Sequence, residues 1–266
     1  MTRATPLPAL VLAGRRGAAD PLAENQGSTH RALLDVCGVP MLLRVVHALE
    51  ASGRVGRLVV SIDDPTALAE VPELAAALAD GRLAAHRSLD SPSRSVADAL
   101  ERCFPDEPVL VTTADHALLT PAMLDHFADA MQRSDADLLV GMVSESVVRA
   151  AYPDTTRTWI RLRGDSWTGA NLFGFRTPRA RRVAEFWVRA ERNRKRPWRL
   201  VSTFGVGPLL LFALRRLDVD ALMARISRAL DVEIRAVPLP FAEAAIDVDR
   251  PSDLELVTQI LAARSG

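Results

Sequence analysis

The feature that most limits the fold is a short, uninterrupted apolar run, Ala9-Leu10-Val11-Leu12, which ends at Ala13-Gly14. A strand with both faces buried has this pattern, and such strands occur in parallel sheets. Pro40 then opens a segment with apolar residues at helical spacing, which stops near Gly53. A second apolar strand follows at 57–62. The order strand, helix, strand predicts a parallel unit.

Strands and helices continue to alternate along the chain. We predict helices at 66–79, 95–103, 178–192, 207–216, 219–230 and from Pro251 onward, and strands at 83–86, 108–113, 137–143, 157–163, 170–176 and 232–237. This order is typical of the α/β class, here a three-layer α/β/α arrangement around a mainly parallel, doubly wound sheet. No break in composition divides the chain. We therefore expect a single domain over residues 1–266, with an elaborated helical region around 178–230.

Charge and composition exclude several classes of partner. The 266 residues carry 33 basic and 33 acidic side chains, so no overall field favours nucleic acid or an anionic membrane. No apolar run approaches the roughly 18 residues that a membrane span needs, and only two cysteines are present. We expect a cytoplasmic protein with no nucleic-acid partner and no integral membrane segment. A homo-oligomer is left open, with 178–230 as the candidate interface.

The turn after the first strand is a candidate anion site. It contains Leu12, Ala13, Gly14, Arg15, Arg16 and Gly17. Glycines past the carboxyl end of a parallel strand let backbone N–H groups face a phosphate, and arginines add charge-assisted hydrogen bonds. The alternative is a surface turn with solvated arginines. The turn is neither a Walker A loop nor a dinucleotide fingerprint, because the required glycine and lysine spacings are missing.

Three aspartates are candidate metal ligands. Asp115 follows the strand predicted at 108–113, and Asp247 and Asp249 are separated by one residue, so both point the same way if the segment is extended. Carboxylate oxygens are the ligands that Mg²⁺ prefers, together with phosphates. The alternative is that these residues cap turns and helix starts near Pro121 and Pro251.

Other polar residues are candidates for substrate contacts. Arg157 and Arg161 alternate on the strand predicted at 157–163 and face either a phosphate group of a ligand or solvent. A further candidate for contacts to a bound ligand is the segment Ser91-Pro92-Ser93-Arg94-Ser95. Ten basic residues within 176–199 form either an anion-binding surface or a solvated helix face, and the second reading is favoured because no nucleic-acid motif accompanies them.

Several of these elements together resemble the MobA-like nucleotidyltransferases. The resemblance spans nearly the whole chain and rests on the Leu-Ala-Gly turn, on Arg31-Ala32-Leu33-Leu34 with Val36, Gly38 and Pro40, on the strand ending in Asp115, and on Asp247-Val248-Asp249-Arg250-Pro251-Ser252-Asp253-Leu254. It implies the glycosyltransferase-A-like fold of the nucleotide-diphospho-sugar transferases. It also implies that Asp115 holds a metal together with Asp247 or Asp249. Arg31 stands where relatives usually have a lysine, and Gly169-Ala170-Asn171 resembles a turn beside the acceptor.

The resemblance implies a Mg²⁺-dependent enzyme. Such an enzyme joins a nucleoside monophosphate from a nucleoside triphosphate to a phosphorylated small molecule and releases pyrophosphate. Asp115, Arg31, Asp247 and Asp249 would be catalytic, the turn from Leu12 to Gly17 would bind the nucleotide, and Gly169, Asn171, Arg157 and Arg161 would bind the acceptor. The alternatives are a glycosyltransferase that uses a sugar nucleotide, or a catalytically silent nucleotide-binding protein of the same fold.

Overall fold

Eight strands form one mixed sheet, and strand β1 (Leu7–Leu12) lies in its interior. The computed structural model describes residues 6–14, 22–23, 28, 30–192 and 216–265. The strands that follow are β2 (Asp35–Val36), β3 (Val39–Pro40), β4 (Val55–Ile62), β5 (Leu83–Arg87), β6 (Val109–Thr113), β7 (Leu138–Ser144), β8 (Ile160–Arg161), β9 (Ser166–Phe175) and β10 (Ile234–Pro238). The order in the eight-stranded sheet is β10-β7-β9-β6-β1-β4-β5, with β8 paired to β9, whereas β2 and β3 form a separate two-stranded sheet.

Strand β9 is the exception in an otherwise parallel arrangement. β1 pairs in parallel with β4 and β6, β4 with β5, and β7 with β10. β9 runs antiparallel to both of its long neighbours, β6 and β7. The start of β9 therefore lies at the edge of the sheet where β1, β6 and β7 end. The predicted three-layer, mainly parallel sheet is confirmed.

Helices cover both faces of the sheet. They are α1 (Met41–Ala51), α2 (Pro72–Ala79), α3 (Pro92–Arg102), α4 (Pro121–Arg133), α5 (Glu145–Ala151), α6 (Arg181–Arg192), α7 (Val219–Leu230) and α8 (Pro251–Ser265). Alternate residues of one strand serve opposite cores: Ala9 and Val11 pack with α1, α2 and α4, whereas Leu10 packs with α3, α6 and α7. This two-sided burial explains the uninterrupted apolar runs in the sequence.

Local signals explain where several elements begin. Ser91 and Thr120 cap α3 and α4, accepting hydrogen bonds from the backbone of Arg94 and Met123, and a proline opens each helix. Strands β2 and β3 form a hairpin whose two turn residues, Cys37 and Gly38, both have positive φ (52° and 77°). Positive φ at both positions is the geometry of a two-residue hairpin turn.

Two predicted elements differ from the structure. The helix predicted at 66–79 is broken: a 3₁₀ turn (Pro65–Glu70) ends before α2, because Pro72 has no N–H and keeps Val71 extended. The prediction of a strand over 157–163 is wrong, since only Ile160–Arg161 pair with β9. The helix predicted at 207–216 lies outside the described residues, except for its last residue, which is not helical.

Arginines near the start of the predicted basic segment have local structural roles. Arg179 and Arg182 both pair with Asp231, which holds α6 against the end of α7. Arg176 donates a hydrogen bond to the carbonyl oxygen of Ala136 at 2.7 Å. Arg181 donates to the carbonyl oxygens of Phe104 and Pro105. In the described part of the chain, no helix is long and apolar enough to cross a membrane.

Candidate active site

The ends of β1 and β6 place a glycine turn beside a carboxylate. The two strands are parallel and adjacent, with Leu12 opposite Thr113, so Gly14 and Asp115 leave the sheet at the same edge. The hydroxyl of Thr113 donates a hydrogen bond to the Asp115 carboxylate, which orients that side chain. Gly14 is in close contact with its surroundings, because a Cβ built there would lie 2.8 Å from Ser88 Oγ. A side chain at position 14 would therefore require Ser88 to move.

A distant segment of the chain brings two more carboxylates to this edge. The backbone N–H of Val248 donates a hydrogen bond to the carbonyl oxygen of Asp115 at 3.0 Å. The Val248 side chain is fully buried in a third core cluster beneath α8. Its neighbours, Asp247 and Asp249, are both only partly buried. One carboxylate oxygen from each of Asp115, Asp247 and Asp249 lies within 4.8 Å of the other two.

Arg157 and Asn171 hold Asp247 in place. Arg157 Nη1 lies 3.0 Å from Asp247, and its Nη2 lies 3.0 Å from Asp253, with 8% of the Arg157 side chain exposed. The amide of Asn171, a residue with φ of 49°, donates to Asp247 at 3.4 Å. Burial, followed by repulsion from Asp249, raises the pKa of Asp247 above its usual value, and Arg157 and Asn171 partly offset that rise. Further positive charge beside Asp247 would therefore stabilise its ionised form.

Arg31 supports the other aspartate of the pair. Its Nη2 donates to the carbonyl oxygen of Val248 at 2.6 Å and lies 3.2 Å from Asp249 Oδ1. His30 fixes the 3₁₀ turn that carries Arg31: Nδ1 accepts from the backbone of Ala32 at 3.1 Å, and Nε2 lies 2.7 Å from Asp63. The two arginines thus approach the acidic cluster from different parts of the chain.

Two cavities open beside the cluster. The larger has a volume of about 790 Å³ and is lined mainly by segment 151–158, the start of β9 and the start of α8. The smaller, of about 60 Å³, lies under Gly14 and is lined by Leu12, Gly14, Ser61, Leu89, Ser91, Pro92, Ser95, Thr113 and Asp115. Asp115 faces the small cavity, whereas Asp247 and Asp249 face the large one. The acidic cluster therefore lies where the two cavities meet.

Most of the site residues predicted from the sequence lie together. Arg31, Asp115, Asp247 and Asp249 form the cluster, and Arg157, Gly169 and Asn171 line the large cavity. Leu12 and Gly14 line the small cavity, and Ala13 is buried between them. Arg15, Arg16 and Gly17 lie outside the described residues. Arg161 is exposed on β8 and does not line either cavity, because β8 is much shorter than the predicted strand.

Sequence analysis missed three supporting residues. His30 carried no sequence signal for the site, yet it anchors the turn of Arg31. Asp253 accepts from the backbone of Arg250 at 2.9 Å while it pairs with Arg157. Its position three residues after Arg250, at the start of a proline-initiated helix, was a visible capping signal. Thr113 lies at the end of the strand predicted at 108–113, and nothing in the sequence distinguished it from the other residues of that strand.

The donor set suits a hard divalent cation. All three groups are carboxylates, which match the oxygen preference of Mg²⁺, and the cation would also counter the repulsion between Asp247 and Asp249. Exposed acidic side chains also gather without a metal. Here, however, backbone and arginine contacts position the three groups from separate elements, so the residues present fit Mg²⁺.

The fold and the site together define a nucleotidyltransferase-like protein. A sequence model of the MobA-like NTP transferase domain matches residues 9–227. The chain belongs to this family. No curated protein matches the chain.

Solved structures share this fold. A structure described as a hypothetical transferase from Thermus thermophilus is 32% identical, with a TM-score of 0.76, and the match covers 94% of this chain and all of the other. CMP:2-keto-3-deoxy-manno-octonic acid synthetase complexed with CTP is 15% identical (TM-score 0.60; 98% and 100% covered). The 4-diphosphocytidyl-2C-methyl-D-erythritol synthase from Anaerococcus prevotii is 11% identical (TM-score 0.60; 97% and 98% covered). At these identities the last two support the fold alone.

Proposed function

We propose that this protein is a Mg²⁺-dependent nucleotidyltransferase that transfers a nucleoside monophosphate from a nucleoside triphosphate to a phosphorylated small molecule. The observation that carries the proposal is the convergence of Asp115, Asp247 and Asp249 between two cavities. One cavity lies at the glycine turn and the other faces the opposite side of the cluster. Phosphoryl-group transfer requires that two reactants are held on either side of one cation, and the two cavities offer a place for each reactant.

The reaction needs positioning and charge neutralisation more than it needs a protein base. A phosphate oxygen of the acceptor forms a bond to the α-phosphorus, the bond from that phosphorus to the bridging oxygen breaks, and pyrophosphate leaves with the electron pair. The acceptor phosphate is already ionised. A Mg²⁺ ion held by Asp115 with Asp247 or Asp249 would supply positive charge at the phosphate oxygens. In this proposal, Gly14 and the turn after β1 bind the triphosphate. Arg31, which lies beside Asp249, neutralises negative charge on the phosphates.

The large cavity is proposed as the acceptor site. Arg157 and Asn171 hold Asp247 toward the cluster, and Gly169 leaves its part of the wall open because it has no side chain. Arg250 also lines this cavity and is exposed, so it is better placed than Arg161 to meet an acceptor phosphate. The remaining polar lining consists mostly of hydroxyl and amide groups, from Thr155, Thr156, Thr158, Thr168, Ser252 and Gln259.

Pyrophosphate release tests the proposal. The wild-type protein is incubated with each ribonucleoside triphosphate, Mg²⁺ and a panel of sugar, polyol and pterin phosphates, and the same acceptors are offered with sugar nucleotides. We expect pyrophosphate only with a triphosphate, an acceptor and Mg²⁺ together. Asp115→Asn should abolish release, while the control Asp106→Asn should not, because Asp106 precedes β6 at the opposite edge of the sheet. Sugar transfer without pyrophosphate, or full activity in Asp115→Asn, would refute it.

A further inference from the structure

A carboxylate at the edge of the sheet is linked through a buried histidine to the turn that carries Arg31. Asp63 follows β4 directly, and β4 lies next to β1, with Ser61 opposite Leu12. Asp63 therefore leaves the sheet at the same edge as the glycine turn. Its carboxylate lies 2.7 Å from His30 Nε2, and only 1% of the His30 side chain is exposed. Among the described residues Asp63 is not part of the acidic cluster, so cation binding does not account for its contact with His30.

The backbone fixes the direction of the hydrogen bonds that His30 makes. The N–H of Ala32 lies 3.1 Å from His30 Nδ1, and an N–H group can only donate, so Nδ1 is an acceptor without a proton. The proton of the neutral ring is then on Nε2, which donates a hydrogen bond to the Asp63 carboxylate. The opposite tautomer would place two hydrogens between Nδ1 and the Ala32 nitrogen. Asp63 therefore selects the tautomer that caps Ala32.

His30 does more than a cap requires. A cap for this 3₁₀ turn needs one acceptor near the N–H of Ala32, and short side chains such as asparagine and aspartate supply it. His30 supplies the acceptor and also reaches a residue 33 positions further along the chain. The turn is only three residues long, Arg31–Leu33, and 3₁₀ hydrogen bonds have poor geometry. The contact with Asp63 therefore fixes the backbone of the turn relative to the central sheet.

The turn sets the direction in which the Arg31 side chain extends. Ala32 and Leu33 are buried, whereas Arg31 reaches the carbonyl oxygen of Val248 at 2.6 Å and Asp249 Oδ1 at 3.2 Å. A guanidinium is a planar fork, so its hydrogen bonds to phosphate oxygens depend on its orientation. A displacement of about 1 Å in a group that positions a reactant can cost about 100-fold in rate.

We propose that Asp63 and His30 are positioning residues that orient Arg31 toward the phosphates of the triphosphate. Neither side chain contacts a substrate in this proposal, and both act through the turn. The inference rests on the proposed function, because that function assigns Arg31 to the triphosphate. It adds to the reaction two residues that lie outside the acidic cluster and line neither of the two cavities.

Three substitutions separate the contact with Asp63 from the cap. Asp63→Ala removes the acceptor, whereas Asp63→Asn keeps a carbonyl oxygen that accepts from His30 Nε2. His30→Asn keeps an acceptor for the N–H of Ala32, but its side chain is too short to reach Asp63. The matched control is Glu73→Ala, which breaks a different histidine–carboxylate pair, His47–Glu73 at 2.8 Å on the surface.

Triphosphate affinity and the rate of pyrophosphate release are measured for each variant with Mg²⁺ at about pH 8.5, where an imidazole carries one proton. We expect Asp63→Ala and His30→Asn to weaken binding of the preferred triphosphate about two- to ten-fold, because a mobile arginine must be immobilised on binding. We also expect kcat to fall about ten-fold or more. Asp63→Asn should recover most of both losses. The double variant of His30→Asn with Asp63→Ala should be no worse than either single variant, because both remove the same contact.

A spectroscopic measurement adds a test without nucleotide. Nitrogen-15 chemical shifts should show wild-type His30 protonated at Nε2. Protonation at Nδ1 alone, or an affinity and kcat in Asp63→Ala equal to those in Glu73→Ala, would overturn the inference and leave the proposed function intact. A loss in Asp63→Asn as large as in Asp63→Ala would also overturn it, because the hydrogen bond would not be the cause. Failure of the wild type to bind any triphosphate would refute the proposed function itself.

Discussion

The substitution Arg157→Met removes the positive charge that lies beside two carboxylates, and the methionine keeps most of the alkyl part of the side chain. Arg157 lies 3.0 Å from Asp247 and 3.0 Å from Asp253. Asp247 already has a raised pKa from burial and from its neighbour Asp249. Without the guanidinium, the acidic cluster loses a counter-charge that the protein holds in its interior. We therefore expect the variant to fold with lower stability and to depend on added cation.

The size of the effect follows from the distances and the burial. At 3.0 Å and an effective dielectric constant of about 20, the gross attraction within one pair is about 5 kcal/mol. Water reaches part of the site, because 26% of the Asp247 side chain is exposed, and that screening reduces the loss. We expect the free energy of unfolding to fall by about 2 to 3 kcal/mol. In a chain of this size that lowers Tm by roughly 5 to 10 °C.

Urea and thermal unfolding with a chelator measure this change. The control is Arg82→Met, which breaks a surface pair with Glu50 at 2.6 Å, with side chains 51% and 37% exposed, and should cost less than about 1 kcal/mol. Mg²⁺ should restore more stability to Arg157→Met than it adds to the wild type. The double variant with Asp247→Asn should lose less than the sum of the single changes. Equal losses in Arg157→Met and Arg82→Met would refute the reasoning.

Three further predictions concern other positions. Full burial lowers the pKa of His116 to about 4, and neither ring nitrogen has a hydrogen-bond partner in the described structure, so the folded state favours the neutral ring. The contribution of the neutral His116 ring to the free energy of unfolding should be full above about pH 6.5 and should decrease by up to roughly 3 kcal/mol as the pH drops toward 4. In urea titrations with a chelator, His116→Leu should reduce this dependence on pH. Gly14→Ala should weaken triphosphate binding about ten-fold or more, with Tm little changed, because its Cβ would lie 2.8 Å from Ser88 Oγ, and Ser88→Ala should partly restore binding. Gly141→Ala should lower the free energy of unfolding by about 1 to 3 kcal/mol, because its Cβ would lie 3.2 Å from the carbonyl oxygen of Leu172, and an unchanged urea midpoint would contradict this.

The architecture was predictable because burial on both faces of a parallel sheet leaves a direct trace in the sequence. The run at 9–12 became strand β1, and the carboxylates after β6 and before α8 met at one edge. The broken helix at 66–79 was also visible in principle, since Pro72 stands inside it. These features depend on local sequence and on the geometry of parallel strands.

Contacts between distant residues could not be predicted in the same way. The alternation at 157–163 resembles a strand, but Arg157 turns toward Asp247 and Asp253, which lie about 90 residues further along the chain. His86 likewise lies 2.9 Å from Ser61 Oγ on β4 and 2.9 Å from the Asp98 carboxylate on α3, and no periodic pattern predicts such contacts. Periodicity records which face is buried, and it carries no information on which polar partners meet.

The central claim is that three carboxylates from separate parts of the chain bind one divalent cation beside the nucleotide. Crystals grown with Mn²⁺ and a non-hydrolysable triphosphate test it most directly, because the anomalous signal of manganese locates the ion. We expect an anomalous peak for a manganese ion that is coordinated by Asp115, by Asp247 or Asp249, and by phosphate oxygens. A crystal with bound nucleotide and no manganese at these carboxylates would contradict the account.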